Sequence, residues 1–108
     1  PNRGIRVPAL DAATAAELWR LRVLLEGDAC AEAARHASEP ELARIAALRD
    51  TVEAHGHAGD LYGVLEANSA FQFAIYEAAR GPIALQFIEV LRMKSVPHCT
   101  AAIRRMLQ

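Results

Sequence analysis

Apolar residues recur along this chain with the period of an α-helix, about 3.6 residues per turn, in successive stretches divided by short turn sequences. The first stretch follows Asp11 or Thr14, either of which can cap a helix, and continues to about His36. Gly27 is a possible kink within it. Its apolar positions are Leu18, Leu21, Leu25 and Ala29. The pattern predicts one long amphipathic helix.

The next two helices are marked by their start signals. Ser38 can cap the second helix, whose first turn contains a proline and two glutamates at the positive end of the helix dipole. This helix is expected to end in the turn at residues 56–59. Asp60 then caps a third helix that continues to about Ala79.

Two amides, Asn68 and Gln72, interrupt the apolar face of the third helix. At about 100° per residue they share this face with six apolar side chains. These are Leu61, Val64, Leu65, Phe71, Ile75 and Ala79. An amide that is buried without hydrogen-bond partners costs about 1–3 kcal/mol. The two amides are therefore expected to bond each other, to meet other polar groups, or to line a cavity that holds water or a ligand.

Residues 80–82, Arg-Gly-Pro, close the third helix and begin a fourth. Pro97 predicts a kink or break before a final segment, 98–107. Short connections between long helices favour antiparallel neighbours, so we predict an all-α fold, an antiparallel helical bundle, over residues 10–108. Ahead of it, in residues 1–9, apolar and basic residues alternate and stop at Pro8, which indicates a strand end and a linker.

Composition and charge limit the classes of function that this chain can have. The 108 residues, 53% of them hydrophobic, suffice for one domain with a core. A net charge of −1 gives no general attraction to nucleic acid or to an anionic membrane. We find neither a membrane span nor a signal peptide. Cys30 and Cys99 lack the spacing of a disulfide framework or zinc finger, which fits a reducing, cytoplasmic setting.

Arg22 lies on the apolar stripe of the first helix, and a guanidinium facing inward can bind a carboxylate or a phosphate as a fork. Alternatively, Arg22 pairs with Glu26 one turn later and lies at the edge of the core. Ligand binding and pairing with Glu26 can occur together, with Glu26 keeping the guanidinium in place.

Catalysis is not expected. The chain shows no nucleophile with a base, no inward carboxylate pair and no phosphate-binding glycine loop at a recognisable spacing. Glu66 and Glu77 lie off the apolar stripe. No two His or Cys residues are spaced at i+3 or i+4, so local spacing predicts no metal site.

Two longer segments, ELWRLRVLLEGDACAEAARHASEPEL and ANSAFQFAIYEAARGPIAL, resemble the C-terminal ligand-binding (FCD) domain of GntR-type bacterial transcription regulators in the FadR branch. Arg22, Leu25 and Glu26 match the motif of the family's first helix, and Phe71 matches the Phe of Asp-x-x-Phe-His. The opening NRGIRV resembles the end of the DNA-binding wing. The resemblance implies a homodimer that binds a small effector and alters the operator affinity of a winged helix-turn-helix outside this chain.

The chain departs from this family at its metal site. Many members hold a divalent metal with an Asp and a His four residues apart on this helix and two further His from later helices. Asn68 and Gln72 stand at these two positions, and amide oxygens bind zinc or nickel poorly, so we expect no metal cofactor. The chain also ends before the last helices of such a domain.

We therefore expect Arg22, Asn68 and Gln72 to bind the effector, an organic acid in which Arg22 meets the carboxylate. The alternative function is a structural dimerisation module without a ligand, in which the two amides join subunits. A closed core around Asn68 and Gln72 would favour this alternative.

Overall fold

The computed structural model describes the backbone of residues 11–106 and the side chains of residues 11–96. These residues form an all-α bundle of four helices. The helices are α1 (Ala12–His36), α2 (Glu39–His57), α3 (Leu61–Ala78) and α4 (Pro82–Met106). The predicted strand end and linker at residues 1–9 lie outside the described residues.

Each of the first three helices begins at a side chain that accepts a backbone N–H, as the sequence predicts. Asp11, rather than Thr14, caps α1, and its carboxylate accepts the amide of Thr14 at 2.7 Å. Ser38 forms a capping box with Glu41, in which each side chain accepts the other residue's backbone N–H. Asp60 caps α3 and accepts the amide of Gly63 at 2.9 Å.

The expectation of a break at Pro97 is wrong, because α4 continues through this residue to Met106. A proline inside a helix removes one backbone hydrogen bond, and the turns on either side keep theirs. In a helix of 25 residues, the loss of this one hydrogen bond does not divide the helix into two. Gly27 likewise does not interrupt α1.

The core joins three helices through mostly small side chains. Helix α1 packs against α3 and α4, and α2 packs along α3. The buried cluster consists of Ala29, Ala33, Tyr76, Ala78, Ala79 and Ile88. Alanines let helix backbones approach closely, but each one buries little apolar area, so this core gains less from burial than one made of leucines. Polar contacts between the helices therefore carry more weight here.

The apolar stripe predicted for α3 faces the core only over part of its length. Leu61 and Leu65, at its N-terminal end, are 40% and 45% exposed. Ala67 and Ala74 are buried instead. Gly63 and Ala67 line a groove together with Thr51 and His55 of α2. Helix α2 therefore packs on a second, small-residue face, which the search for large apolar side chains missed.

The turn between α3 and α4 is tied to the start of α2. Arg80 has a left-handed backbone, with φ of 62°, and its guanidinium binds both carboxylate oxygens of Glu41, at 2.8 and 3.2 Å. The hydrogen bond from Arg80, together with those of the Ser38 capping box, lowers the pKa of Glu41 from 4.5 to about 2. Because the folded-state pKa lies below the ordinary value, these contacts stabilise the fold above pH 4.5, and that stabilisation is lost as the pH falls toward 2.

Gly63 allows the α2–α3 turn to close. His55 of α2 contacts the capping carboxylate of Asp60 at 3.1 Å, and a Cβ on Gly63 would overlap both groups. We expect Gly63→Ala to lower the free energy of unfolding, because losing a helix cap costs about 0.5–2 kcal/mol. Urea denaturation followed by circular dichroism measures the change.

Gly27→Ala is the matched control, since nothing lies within 4 Å of its added Cβ. This substitution should raise stability by about 0.5–1 kcal/mol, the usual gain of alanine over glycine within a helix. Equal stabilisation by both substitutions would contradict the close approach at Gly63.

Candidate functional site

The Glu26 carboxylate receives hydrogen bonds from three side chains on three helices. Arg22 Nε, on the same helix, donates to Glu26 Oε2 at 2.7 Å. The Tyr76 hydroxyl of α3 donates to Oε1 at 2.5 Å. Arg92 Nη1 of α4 donates to the same oxygen at 3.2 Å. We call these four residues the Glu26 cluster; it joins α1, α3 and α4 by polar contacts.

The Glu26 cluster is largely shielded from water. The side chains of Arg22, Glu26 and Arg92 are 15%, 15% and 20% exposed, and Tyr76 is buried. Charge-assisted hydrogen bonds in such a place are screened less by solvent than surface ion pairs are. The cluster is therefore a defined polar site inside the bundle.

The protonation states within the cluster are set by its partners. Burial by itself would raise the pKa of Glu26, but hydrogen bonds from Arg22 and Tyr76 and the charges of both arginines hold that pKa below 4.5. Burial, together with the hydrogen bond to the Glu26 carboxylate, raises the pKa of Tyr76 well above 10. At neutral pH Glu26 is thus an anion and Tyr76 a proton donor.

Aromatic rings hold both guanidinium groups. Arg22 lies 5.6 Å from the centre of the Trp19 ring, and Arg92 lies 5.2 Å from the centre of the Phe73 ring. Phe73 in turn meets Tyr76 edge to face, with ring centres 5.7 Å apart. These contacts restrict the arginine side chains before any ligand arrives.

The predicted site residues occupy different positions relative to this cluster. Arg22 belongs to it, and its pairing with Glu26 is the one weighed from the sequence. Asn68 and Gln72 are half-buried on α3, and within residues 11–96 no hydrogen bond joins them to each other or to Arg22. The Gln72 Oε1 atom is buried and has no hydrogen-bond partner among these residues.

Open grooves lie beside α3, and two of them run along its residues 62–73. The first, of about 620 Å³, is lined by Tyr62, Leu65, Glu66, Ser69, Ala70 and Phe73. The second, of about 390 Å³, lies between α2 and α3 and is lined by residues such as Thr51, His55 and Gly63. Neither groove is lined by Arg22, Asn68 or Gln72. Phe73 lines the first groove and also makes the ring contact with Arg92.

Comparison with protein families decides the class of this chain. The sequence model of the FCD domain matches residues 17–107, which include all four residues of the Glu26 cluster. The chain belongs to the FCD domain family. FCD domains are the C-terminal, effector-binding domains of GntR-type transcription regulators. No curated protein and no solved structure matches the chain significantly.

The metal site that the family resemblance implies does not fit the residues present here. At the two positions on α3 that the family resemblance equates with metal ligands, Asn68 and Gln72 offer neutral amides, which bind zinc and nickel poorly. Within the part of the chain whose side chains are described, no three His, Cys, Asp or Glu residues lie close enough together to hold a metal ion. The orphan oxygen of Gln72 has no charge to offer such an ion.

The sequence reasoning missed Tyr76 and Arg92 of this FCD domain. Arg92 lies one turn after the fully buried Ile88, so the geometric test that singled out Arg22 also applies to Arg92. Tyr76 lies one turn after Gln72, at the edge of the apolar stripe. Its role depends on a hydrogen bond to Glu26, which lies 50 positions earlier. A local sequence pattern cannot predict that contact.

None of the helices in the described part of this FCD domain is long and apolar enough to span a membrane.

We expect Tyr76→Phe to destabilise the domain by about 1–2 kcal/mol, because a hydrogen bond to a charged group is lost while both arginines still pair with Glu26. Urea denaturation measures the change. Tyr62→Phe, at a highly exposed tyrosine on the same helix, is the control and should leave stability unchanged. Equal effects of the two substitutions would show that the Tyr76 hydroxyl contributes nothing.

Proposed function

We propose that this FCD domain binds a small organic acid directly, without a metal, through Arg22, Asn68 and Gln72. The effector would alter operator binding by a winged helix-turn-helix outside these residues, in a cytoplasmic, homodimeric regulator. The observation that carries the proposal is the arrangement of Arg22, a shielded guanidinium held in place by Glu26 in a domain of an effector-binding family.

Arg22 retains donors for a ligand. It donates to Glu26 through Nε, and neither of its Nη groups has a hydrogen-bond partner within residues 11–96. A guanidinium edge with free N–H groups matches the two oxygens of a carboxylate. Because Glu26 and Trp19 already restrict the side chain, a ligand would lose little affinity to ordering it.

The amides supply the uncharged part of the site. A buried Oε1 without a partner at Gln72 costs about 1–3 kcal/mol, which a ligand hydroxyl or amino group would recover by donating to it. Asn68, one turn earlier on α3, adds a donor and an acceptor. These neutral groups would fix the orientation of the acid while Arg22 binds its charge.

Calorimetry with a panel of small organic acids tests the proposal. For an acid that binds, Arg22→Ala should weaken affinity by about tenfold or more, since a charge-assisted hydrogen bond contributes about 1.5–3 kcal/mol. Arg20→Ala removes an exposed arginine of the same helix and should leave affinity unchanged.

Each titration is repeated with a chelator. Unchanged affinity after Arg22→Ala would remove Arg22 from the site, and loss of binding in the chelator would contradict direct, metal-free binding. A domain that binds no acid at all would favour the alternative function, a dimerisation module without a ligand.

The proposed dimer has a candidate surface on α4. Ile83, Phe87 and Val90 recur at helical spacing and are all exposed. A row of apolar side chains on one helix can pair with its own copy across a two-fold axis. We propose that a second copy of the chain covers this row, as an isologous dimer requires.

Sedimentation equilibrium tests the dimer. We expect Phe87→Glu to raise the dimer dissociation constant by at least about tenfold, because it places a charge in an apolar contact. Tyr62→Glu, at an even more exposed aromatic residue of α3, should have no effect. A monomeric wild-type domain, or equal effects of both substitutions, would contradict pairing through α4.

A further inference from the structure

The Glu26 cluster contains more positive than negative charge. Arg22 and Arg92 both pair with Glu26, at 2.7 and 3.2 Å. Within residues 11–96, neither arginine lies within ion-pair distance of a second carboxylate. Two guanidinium groups and one carboxylate leave one positive charge uncompensated, in a place where solvent screens it poorly.

Arg92 also has donors to spare. Only its Nη1 atom bonds Glu26, and its Nε and Nη2 atoms have no hydrogen-bond partner within the same residues. The guanidinium carbon lies 5.2 Å from the centre of the Phe73 ring, and the Nε and Nη2 donors remain available to a ligand. Arg22 and Arg92 therefore present free N–H groups on two sides of one carboxylate.

We infer that Arg92 is a second anion-binding residue of the effector site, and that Glu26 limits the site to one ligand negative charge. This inference rests on the proposed function and deepens it, because it specifies the charge of the effector. A monoanion neutralises the cluster, whereas a dianion leaves a surplus negative charge beside Glu26.

The position of Gln72 fits a ligand beside the cluster. Arg22 lies one turn before Glu26 on α1, and Gln72 lies one turn before Tyr76 on α3. Since Glu26 and Tyr76 are hydrogen-bonded, the guanidinium and the orphan amide oxygen flank the same inter-helix contact. The favoured ligand is thus a monocarboxylate that also carries a hydrogen-bond donor.

Charge selectivity distinguishes Glu26 from a merely structural residue. Formate serves as the monoanionic probe and sulfate as the dianionic probe, at matched ionic strength, and thermal shifts give the two apparent dissociation constants. In Glu26→Gln the cluster gains a charge of +1, so the preference for sulfate over formate should rise at least tenfold. An unchanged preference would overturn the role of Glu26.

Arg92 is tested with the same probes. Arg92→Met should weaken both anions at least fivefold, while Arg92→Lys, which keeps the charge, should weaken them less. Arg49→Met, at an exposed arginine paired only with Asp50 in the described structure, is the control and should change nothing. Circular dichroism without probes confirms that each variant is folded. Wild-type affinity in Arg92→Met would overturn the inference.

The two proposals fail separately. If Arg22→Ala abolishes binding of an organic acid and Arg92→Met leaves it intact, the inference about Arg92 is wrong and the proposed function stands. If none of the larger organic acids of the panel binds but formate and sulfate respond as expected, the anion site is supported and the proposed effector function fails.

Discussion

A single carboxylate, shielded from water, connects α1, α3 and α4 of this domain. Glu26 of α1 accepts hydrogen bonds from α3 and α4, and it pairs with one arginine before it and one after it in the chain. Removing one partner from such a group is costly, because the remaining charges stay buried. The small side chains of the surrounding core give less burial energy, so the geometry of the bundle depends on this contact.

The architecture was largely readable from local sequence. Caps at Asp11, Ser38 and Asp60 set the helix starts, because a capping side chain acts on amides only two or three residues away. The packing faces were harder to predict. A search for large apolar residues found one face of α3 and missed the alanine face on which α2 packs, since alanine carries almost no periodic hydrophobic signal.

The candidate site could be predicted only in part, for the same reason. Arg22 was visible because it lies on a clear apolar stripe, and Gln72 because an amide interrupts another. Tyr76 and Arg92 belong to the site because they contact Glu26, which is distant from both in sequence. Such a contact exists only in the folded bundle. Helix periodicity predicts which face of a helix is buried, but it does not predict which face of another helix packs against it.

The sequence separation of these contacts also bears on how the domain folds. His55 and Asp60, which close the turn between α2 and α3, are five positions apart, whereas Glu26 and Arg92 are separated by 66. Closing a short loop costs less chain entropy than closing a long one, so local hairpins form early. We expect the α2–α3 hairpin to precede the Glu26 cluster on the folding pathway. An effector that needs Arg22 and Arg92 together would then recognise only chains that have finished folding.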